Sequence, residues 1–139
     1  MTGVLVAELF ADARAENVRP LRRAVARIAV REGADREVIS DVALCVDEAL
    51  ANVVRHAYAG RAGPMEVRVM REPDELEVVV RDMGKGLDPR RAGRFGIGLS
   101  LISQLSGHAS ITSALGGGAE VRISFPAGSV PHHHYVLTG

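Results

Sequence analysis

Met65-Glu66-Val67-Arg68-Val69-Met70-Arg71-Glu72-Pro73-Asp74-Glu75-Leu76-Glu77-Val78-Val79-Val80 is the stretch that decides the fold. Apolar residues alternate with charged ones on both sides of Pro73 and Asp74. A period of two with a turn between the runs predicts a strand hairpin with one buried face. Toward the C-terminus, Asp82 to Gly98 is rich in glycine and arginine and shows no period. A third helix is expected from about Ile97 to Leu105. Two more strands, Ala109 to Ala114 and Ala119 to Phe125, flank Gly116-Gly117-Gly118. His108 reads as a loop residue, and the chain after Pro126 as a loose tail.

Toward the N-terminus, Gly60 to Pro64 reads as a loop. Val42, Ala43, Val46, Ala49, Leu50, Val53 and Val54 form a broad apolar face of a helix opened by Asp35 or Ser40 and closed near Tyr58 and Gly60. Val18, Leu21, Val25, Ile28 and Ala29 recur at helical spacing in an earlier helix. Asn17 is expected to cap it, Pro20 to lie in its first turn, and Gly33 to end it. Val4, Val6 and Leu9 mark a short first strand. Strands cluster as hairpins and helices do not alternate with them. The expected fold class is therefore α+β, a two-layer α/β sandwich whose mostly antiparallel sheet is covered by helices on one face. One domain is expected over residues 1–126, with 127–139 as a flexible tail.

The 139 residues suit one domain able to bury its own core. Hydrophobic residues make up 47% and charged residues 24%, as in globular proteins rather than disordered ones. Seventeen basic residues balance seventeen acidic ones, which excludes whole-surface attraction to nucleic acid or anionic membrane. Tryptophan is absent and aromatics are 4%, against a base-stacking nucleic-acid module. The longest apolar run, Val42 to Val46, is too short for a transmembrane helix or a signal peptide. The single Cys45 allows no internal disulfide, so a cytoplasmic location is expected. It reads as a core filler.

Three elements can carry chemistry. Glu48, Asn52 and His56 stand at steps of four, which puts them on one helix face with about 6 Å along the axis between neighbours. Taken alone, such a stripe is also what the solvated face of any amphipathic helix shows. Asp82-Met83-Gly84-Lys85-Gly86 follows directly on a strand. Its glycines let backbone approach a ligand closely, and its aspartate can accept from an exocyclic amine. A plain turn closed by the aspartate is the competing reading. Gly96 and Gly98 open a helix whose free N–H groups attract phosphate, with Arg90, Arg91 and Arg94 beside them. No Gly-Lys-Ser/Thr follows, so this is not a Walker A loop. The strand–helix–strand crossover of a dinucleotide fold is missing too.

In this order, the three elements resemble the N, G1 and G2 boxes of the GHKL ATPase superfamily. More narrowly, Asp47-Glu48-Ala49-Leu50-Ala51-Asn52-Val53-Val54-Arg55-His56-Ala57-Tyr58 is similar to the N box of the stand-alone anti-sigma factor serine/threonine kinases of the RsbW and SpoIIAB type. The resemblance runs from the first strand to about Phe125. The short stretch between Gly86 and Gly96 resembles that group's abbreviated ATP lid.

The resemblance implies a Bergerat-type ATP-binding fold using ATP and Mg²⁺. Asn52 would give its side-chain oxygen to Mg²⁺, and Glu48 would be the general base. Asp82 would bind the adenine amine, with Gly84 and Gly86 letting the chain pass the purine. Gly96 and Gly98, with Ile97 and Leu99, would meet the phosphates. Arg94 would pair with the terminal phosphate, and Arg55 and His56 would line the pocket. Gly118-Ala119 departs from the family's Gly-Thr, whose hydroxyl helps to hold adenine. Its loss is worth about 1 kcal/mol, and Ser113 and Ser124 are the hydroxyls considered in its place.

By the same resemblance the acceptor is a serine or threonine of a STAS-domain anti-anti-sigma protein, the second partner is a sigma factor, and the chain is a homodimer. No direct nucleic-acid or membrane partner is expected. The competing readings are a nucleotide-gated module that sequesters a regulator without phosphorylating it, and a related stress-signalling switch kinase. An ATPase fragment of a histidine kinase is disfavoured by the short lid and by the missing dimerisation helices. Phe95 is expected either to cover the nucleotide or to pack, and His132-His133-His134 to be a fortuitous run in the tail.

Overall fold

The computed structural model describes residues 3–85, 102, 104–113 and 117–128. Seven elements follow in order: β1 (Val4–Asp12), α1 (Ala15–Arg31), α2 (Arg36–His56), β2 (Pro64–Arg71), β3 (Glu75–Asp82), β4 (His108–Ser113) and β5 (Ala119–Pro126). The strands form one sheet in the order β1-β2-β3-β5-β4, and every pairing is antiparallel. Ile102, Gln104 and Leu105 are helical, and the rest of the expected third helix lies outside the described residues.

The alternating hairpin folds as its sequence predicts. Val67 pairs with Val80 and Val69 with Val78; Val78 and Val80 in turn face Ile123 and Val121. Because side chains alternate across a strand, the same register puts all these valines on one face. Met65, Val67, Val69, Leu76, Val78 and Ile123 are buried there against Val42, Val46, Leu50 and Val53 of α2 and Leu21 and Val25 of α1. Each fully buried aliphatic side chain stabilises by roughly 1.5–3 kcal/mol. The sheet's other face carries the charged residues of the alternation. Arg68 pairs with Glu8 at 3.3 Å, and Arg122 with Glu77 at 2.8 Å.

Local details differ from the sequence reading for identifiable reasons. Arg14, not Asn17, occupies the N-cap of α1. Asn17 lies inside the helix and its Nδ2 donates to Asp12 O at 2.9 Å, tying the helix back to β1. With the helix starting at Ala15, Pro20 falls in the second turn, where it removes one backbone donor on an exposed face. Asp35 takes the N-cap of α2, and Ser40 lies within the helix. The helix stops at His56 rather than near Tyr58 and Gly60. Ala57 turns its carbonyl to the N–H of Lys85 at 3.0 Å, which ends the helical ladder there. His108 opens β4 instead of lying in a loop, because its pairing with Ser124 extends the strand.

The packed chain also runs past Pro126. Ala127 is buried and donates to Asp74 O at 2.9 Å, and Arg71, itself buried, donates to Gly128 O.

Candidate functional site

The site is built on the C-terminal half of α2 and the end of β3. The α2 face that packs on the sheet holds Val46, Ala49, Leu50 and Val53, so the polar stripe at the fourth-residue steps turns away from the core. Glu48 is half-buried and Asn52 likewise, whereas His56 is exposed. Arg55 draws the first two together. Its guanidinium donates to Asn52 Oδ1 at 2.9 Å and lies 3.6 Å from Glu48 Oε2. An uncharged amide oxygen and a carboxylate thus converge on one positive group. Oxygen donors so placed suit a hard divalent cation that keeps several waters. The Asn52 oxygen fits Mg²⁺ as a protein ligand, with the Glu48 carboxylate one turn away and both now engaged by Arg55.

Asp82 ends β3 and is buried, 7% exposed. Its Oδ1 accepts the N–H of Gly84 at 2.9 Å and that of Ala119 at 3.2 Å. Among the described residues nothing donates to Oδ2. The aspartate is therefore oriented by one oxygen and offers the other, which suits a ligand amine. The bond to Gly84 is the plain turn considered as the competing reading, but the turn uses only half of the carboxylate.

Two glycines bring backbone against this corner. A Cβ at Gly84 would lie 2.0 Å from Ala57 O, so only glycine lets the turn reach the end of α2. Gly118 has φ +88°, and a Cβ there would lie 1.9 Å from Asp82 O.

Tyr58 locks the same turn from outside. Its hydroxyl accepts the N–H of Met83 at 2.8 Å and donates to Pro64 O. Burial pushes that hydroxyl's pKa up, the Met83 N–H opposes this, and the Asp82 charge adds to the rise. The role of Tyr58 was not legible in sequence, since a tyrosine just past a helix end gives no periodic signal. Nor was the Ala119 N–H, because a backbone donor leaves no trace in residue identity.

The structure thus brings Asp82, Gly84 and the end of α2 together, and places Glu48, Asn52 and Arg55 farther up the same helix. Gly86, Arg94, Gly96, Ile97, Gly98 and Leu99 lie outside the described residues, as do Phe95 and the three histidines at 132–134. Cys45 is fully buried, and burial followed by the Asp41 charge pushes its thiol up to about 12, consistent with packing and not reactivity. A surface cleft between β1 and α1, lined by Leu9, Arg27 and Ile28 among others, includes none of the site residues.

Residues 11–125 match the model of the histidine kinase-like ATPase domain. A serine-protein kinase RsbW of Bacillus pumilus is 36% identical over 84 residues, 58% of this chain and 52% of the relative. One of Bacillus cereus is 31% identical over 114 residues, 70% of this chain and 71% of the relative. The chain thus spans about half the length of the first relative and over two-thirds of the second. A crystal structure of RsbU and RsbW domains from Mycobacterium tuberculosis superposes with a TM-score of 0.62 at 23% identity, covering 91% of this chain and 35% of that one. A mycobacterial sensor histidine kinase, MprB, gives 0.57 at 19% identity, covering 89% of this chain and all of the other. At those identities the two structures speak for the fold alone. The chain belongs to the histidine kinase-like ATPase domain family, in which it is similar in sequence to the RsbW serine-protein kinases.

Proposed function

We propose that this chain is an Mg-ATP-dependent serine/threonine-protein kinase acting as an anti-sigma factor. It phosphorylates a STAS-domain anti-anti-sigma protein and sequesters a sigma factor. The observation that carries the reading is Asp82, held through Oδ1 by two backbone donors with Oδ2 left for an amine, at the corner where β3 meets the helix bearing Asn52 and Glu48.

Asp82 Oδ2 accepts from the adenine amino group, and Gly84 and Gly86 carry the backbone past the purine. Asn52 Oδ1 would be the protein ligand of Mg²⁺, which when bound would supply charge neutralisation at the phosphates. Arg55 releases Asn52 for that role; the pair lies on an exposed surface, where such contacts are worth no more than about 1 kcal/mol. Arg55 and His56 then line the phosphate end of the pocket. In the proposed roles Gly96, Ile97, Gly98 and Leu99 would meet the phosphates, and Arg94 would pair with the terminal one. Glu48 takes the proton of the acceptor hydroxyl. The bond from that oxygen to the γ-phosphorus forms as the bond from phosphorus to the β–γ bridging oxygen breaks, and ADP leaves.

No helix among the described residues is long and apolar enough to cross a membrane. Action in the cytoplasm is part of the proposal. The homodimer is proposed through β1. Its outer edge is unpaired within the described sheet, and Val4, Leu5 and Phe10 are half or more exposed. Residues 1–126 form the ATPase domain in this reading, with 127–139 as a tail anchored at its first residues.

The test is phosphate transfer itself. Wild-type chain, Mg-ATP and a candidate STAS-domain protein should give an acceptor heavier by one phosphate on intact mass spectrometry. Glu48→Gln should bind Mg-ATP and transfer nothing. Equal transfer by both proteins would remove Glu48 from the mechanism. Tight partner binding with no transfer by the wild type would favour the sequestering module instead.

A further inference from the structure

Leu44 is the exposed apolar residue of α2, with 51% of its surface open. A single exposed leucine needs no explanation by itself. Its position does. Steps of four from Leu44 lead to Glu48 and then to Asn52, so the three share one stripe with about 6 Å along the axis between neighbours. The nucleotide corner lies at the far end, where Gly84 meets Ala57. Along α2 the order is therefore purine corner, metal ligand, base, exposed leucine.

Geometry then constrains the acceptor. Its hydroxyl has to come within about 3 Å of Glu48. An extended chain advances about 3.5 Å per residue. A residue two places from the phosphorylated one is then about 7 Å away, close to the distance from Glu48 to Leu44. The purine side is filled by ATP, so the acceptor approaches along the Leu44 side. Charge adds a second constraint. Asp41, one turn before Leu44 and only partly exposed, has no ion-pair partner among the described residues, whereas Asp47 on the other flank is engaged by Arg22 at 3.1 Å.

We propose that Leu44 and Asp41 form the acceptor subsite, selecting a segment that carries an apolar side chain near the phosphorylated hydroxyl and a basic side chain beside it. The proposal rests on the kinase reading above and names what that reading leaves open, the chemistry of the acceptor around its hydroxyl. Leu44 touches the apolar side chain, Asp41 pairs with the basic one, and neither touches ATP.

The experiment uses the full chain, Mg-ATP and each STAS-domain protein encoded in the same genome, mixed one at a time, with transfer followed by intact mass. For any acceptor the wild type modifies, Leu44→Asp should lower kcat/KM for the acceptor at least tenfold and leave the Kd for Mg-ATP within twofold. Leu44→Met should recover most of the loss, and Asp41→Lys should raise the acceptor KM. Calorimetry and gel filtration report nucleotide affinity and oligomeric state for each variant. A Leu44→Asp rate within twofold of wild type overturns the subsite and leaves the kinase reading standing. So does a loss that tracks weaker ATP binding or a changed oligomeric state. Absence of transfer to every candidate by the wild type overturns the kinase reading and the subsite with it.

Discussion

Replacing Asp82 with asparagine should exchange one nucleotide preference for another. The N–H groups of Gly84 and Ala119 both need an acceptor, and both use Oδ1. Asparagine has one oxygen, so its carbonyl stays with those two donors and its NH₂ takes the place of Oδ2. A donor then faces the adenine amine, itself a donor. The carboxylate–amine bond that is lost is worth about 1.5–3 kcal/mol, and leaving donors unpaired at a buried site costs a further ~1–3 kcal/mol. The sum of about 2.5–6 kcal/mol corresponds to a rise in Kd of roughly seventyfold to twenty-thousandfold. A purine with a carbonyl at that position meets an acceptor-seeking NH₂ instead and should lose far less. The assay is calorimetric titration of Mg-ATP and of Mg-inosine triphosphate into wild type and Asp82→Asn. The ratio of the two affinities should move toward inosine by at least tenfold. An unchanged ratio, or an ATP affinity within threefold of wild type, would show that Oδ2 does not face the purine.

Tyr58→Phe removes the hydroxyl that joins Met83 to Pro64, so the Mg-ATP Kd should rise several-fold while the domain stays folded; calorimetry and far-UV circular dichroism check both halves. Gly84→Ala drives a methyl into Ala57 O, and overpacking of this kind costs about 1–3 kcal/mol, read as a lower Tm together with weaker nucleotide binding. Cys45 has its thiol held up to about 12 against an ordinary 9.0. The folded form favours the protonated thiol, so its contribution is complete below pH 9 and is lost as pH rises toward 12. Between those values stability should fall by about 1.4 kcal/mol per pH unit, a slope that denaturant titrations should find flattened in Cys45→Ala. Below pH 9 the folded chain should resist thiol reagents until it is denatured.

What could be read from sequence follows from which signals are periodic. Val67, Val69, Val78 and Val80 fix both strand and buried face, since a slip of one residue would turn all four outward. The apolar rows of α1 and α2 do the same at helical spacing. Ends are less legible because they depend on contacts distant in sequence. Asn17 has a good capping side chain, yet Asp12 O claims it five residues back. His108 looks like a loop residue until Ser124 pairs with it. The site divides likewise. Glu48, Asn52 and Asp82 stand out as candidates once the helix stripe is read together with the glycine motifs that follow it, whereas Tyr58 acts through an oxygen that only the folded chain brings to Met83.

The same distinction changes what Ala119 means. In sequence, alanine in place of the threonine that the family resemblance leads one to expect looks like damage to purine binding. In the structure, residue 119 also contributes its main-chain N–H to Asp82 Oδ1, which any residue but proline supplies. Gly118, pressed against Asp82 O at a positive φ, fixes where that N–H points. A substitution at 119 can therefore delete a hydroxyl without disturbing the orientation of the carboxylate. The expected loss is that of one hydrogen bond, about 1 kcal/mol or a little over fivefold in affinity. Ala119→Thr should recover about that factor in the Mg-ATP Kd, whereas Gly118→Ala, which moves the N–H itself, should cost far more. If the two substitutions changed ATP affinity equally, the main-chain bond would not be what orients Asp82.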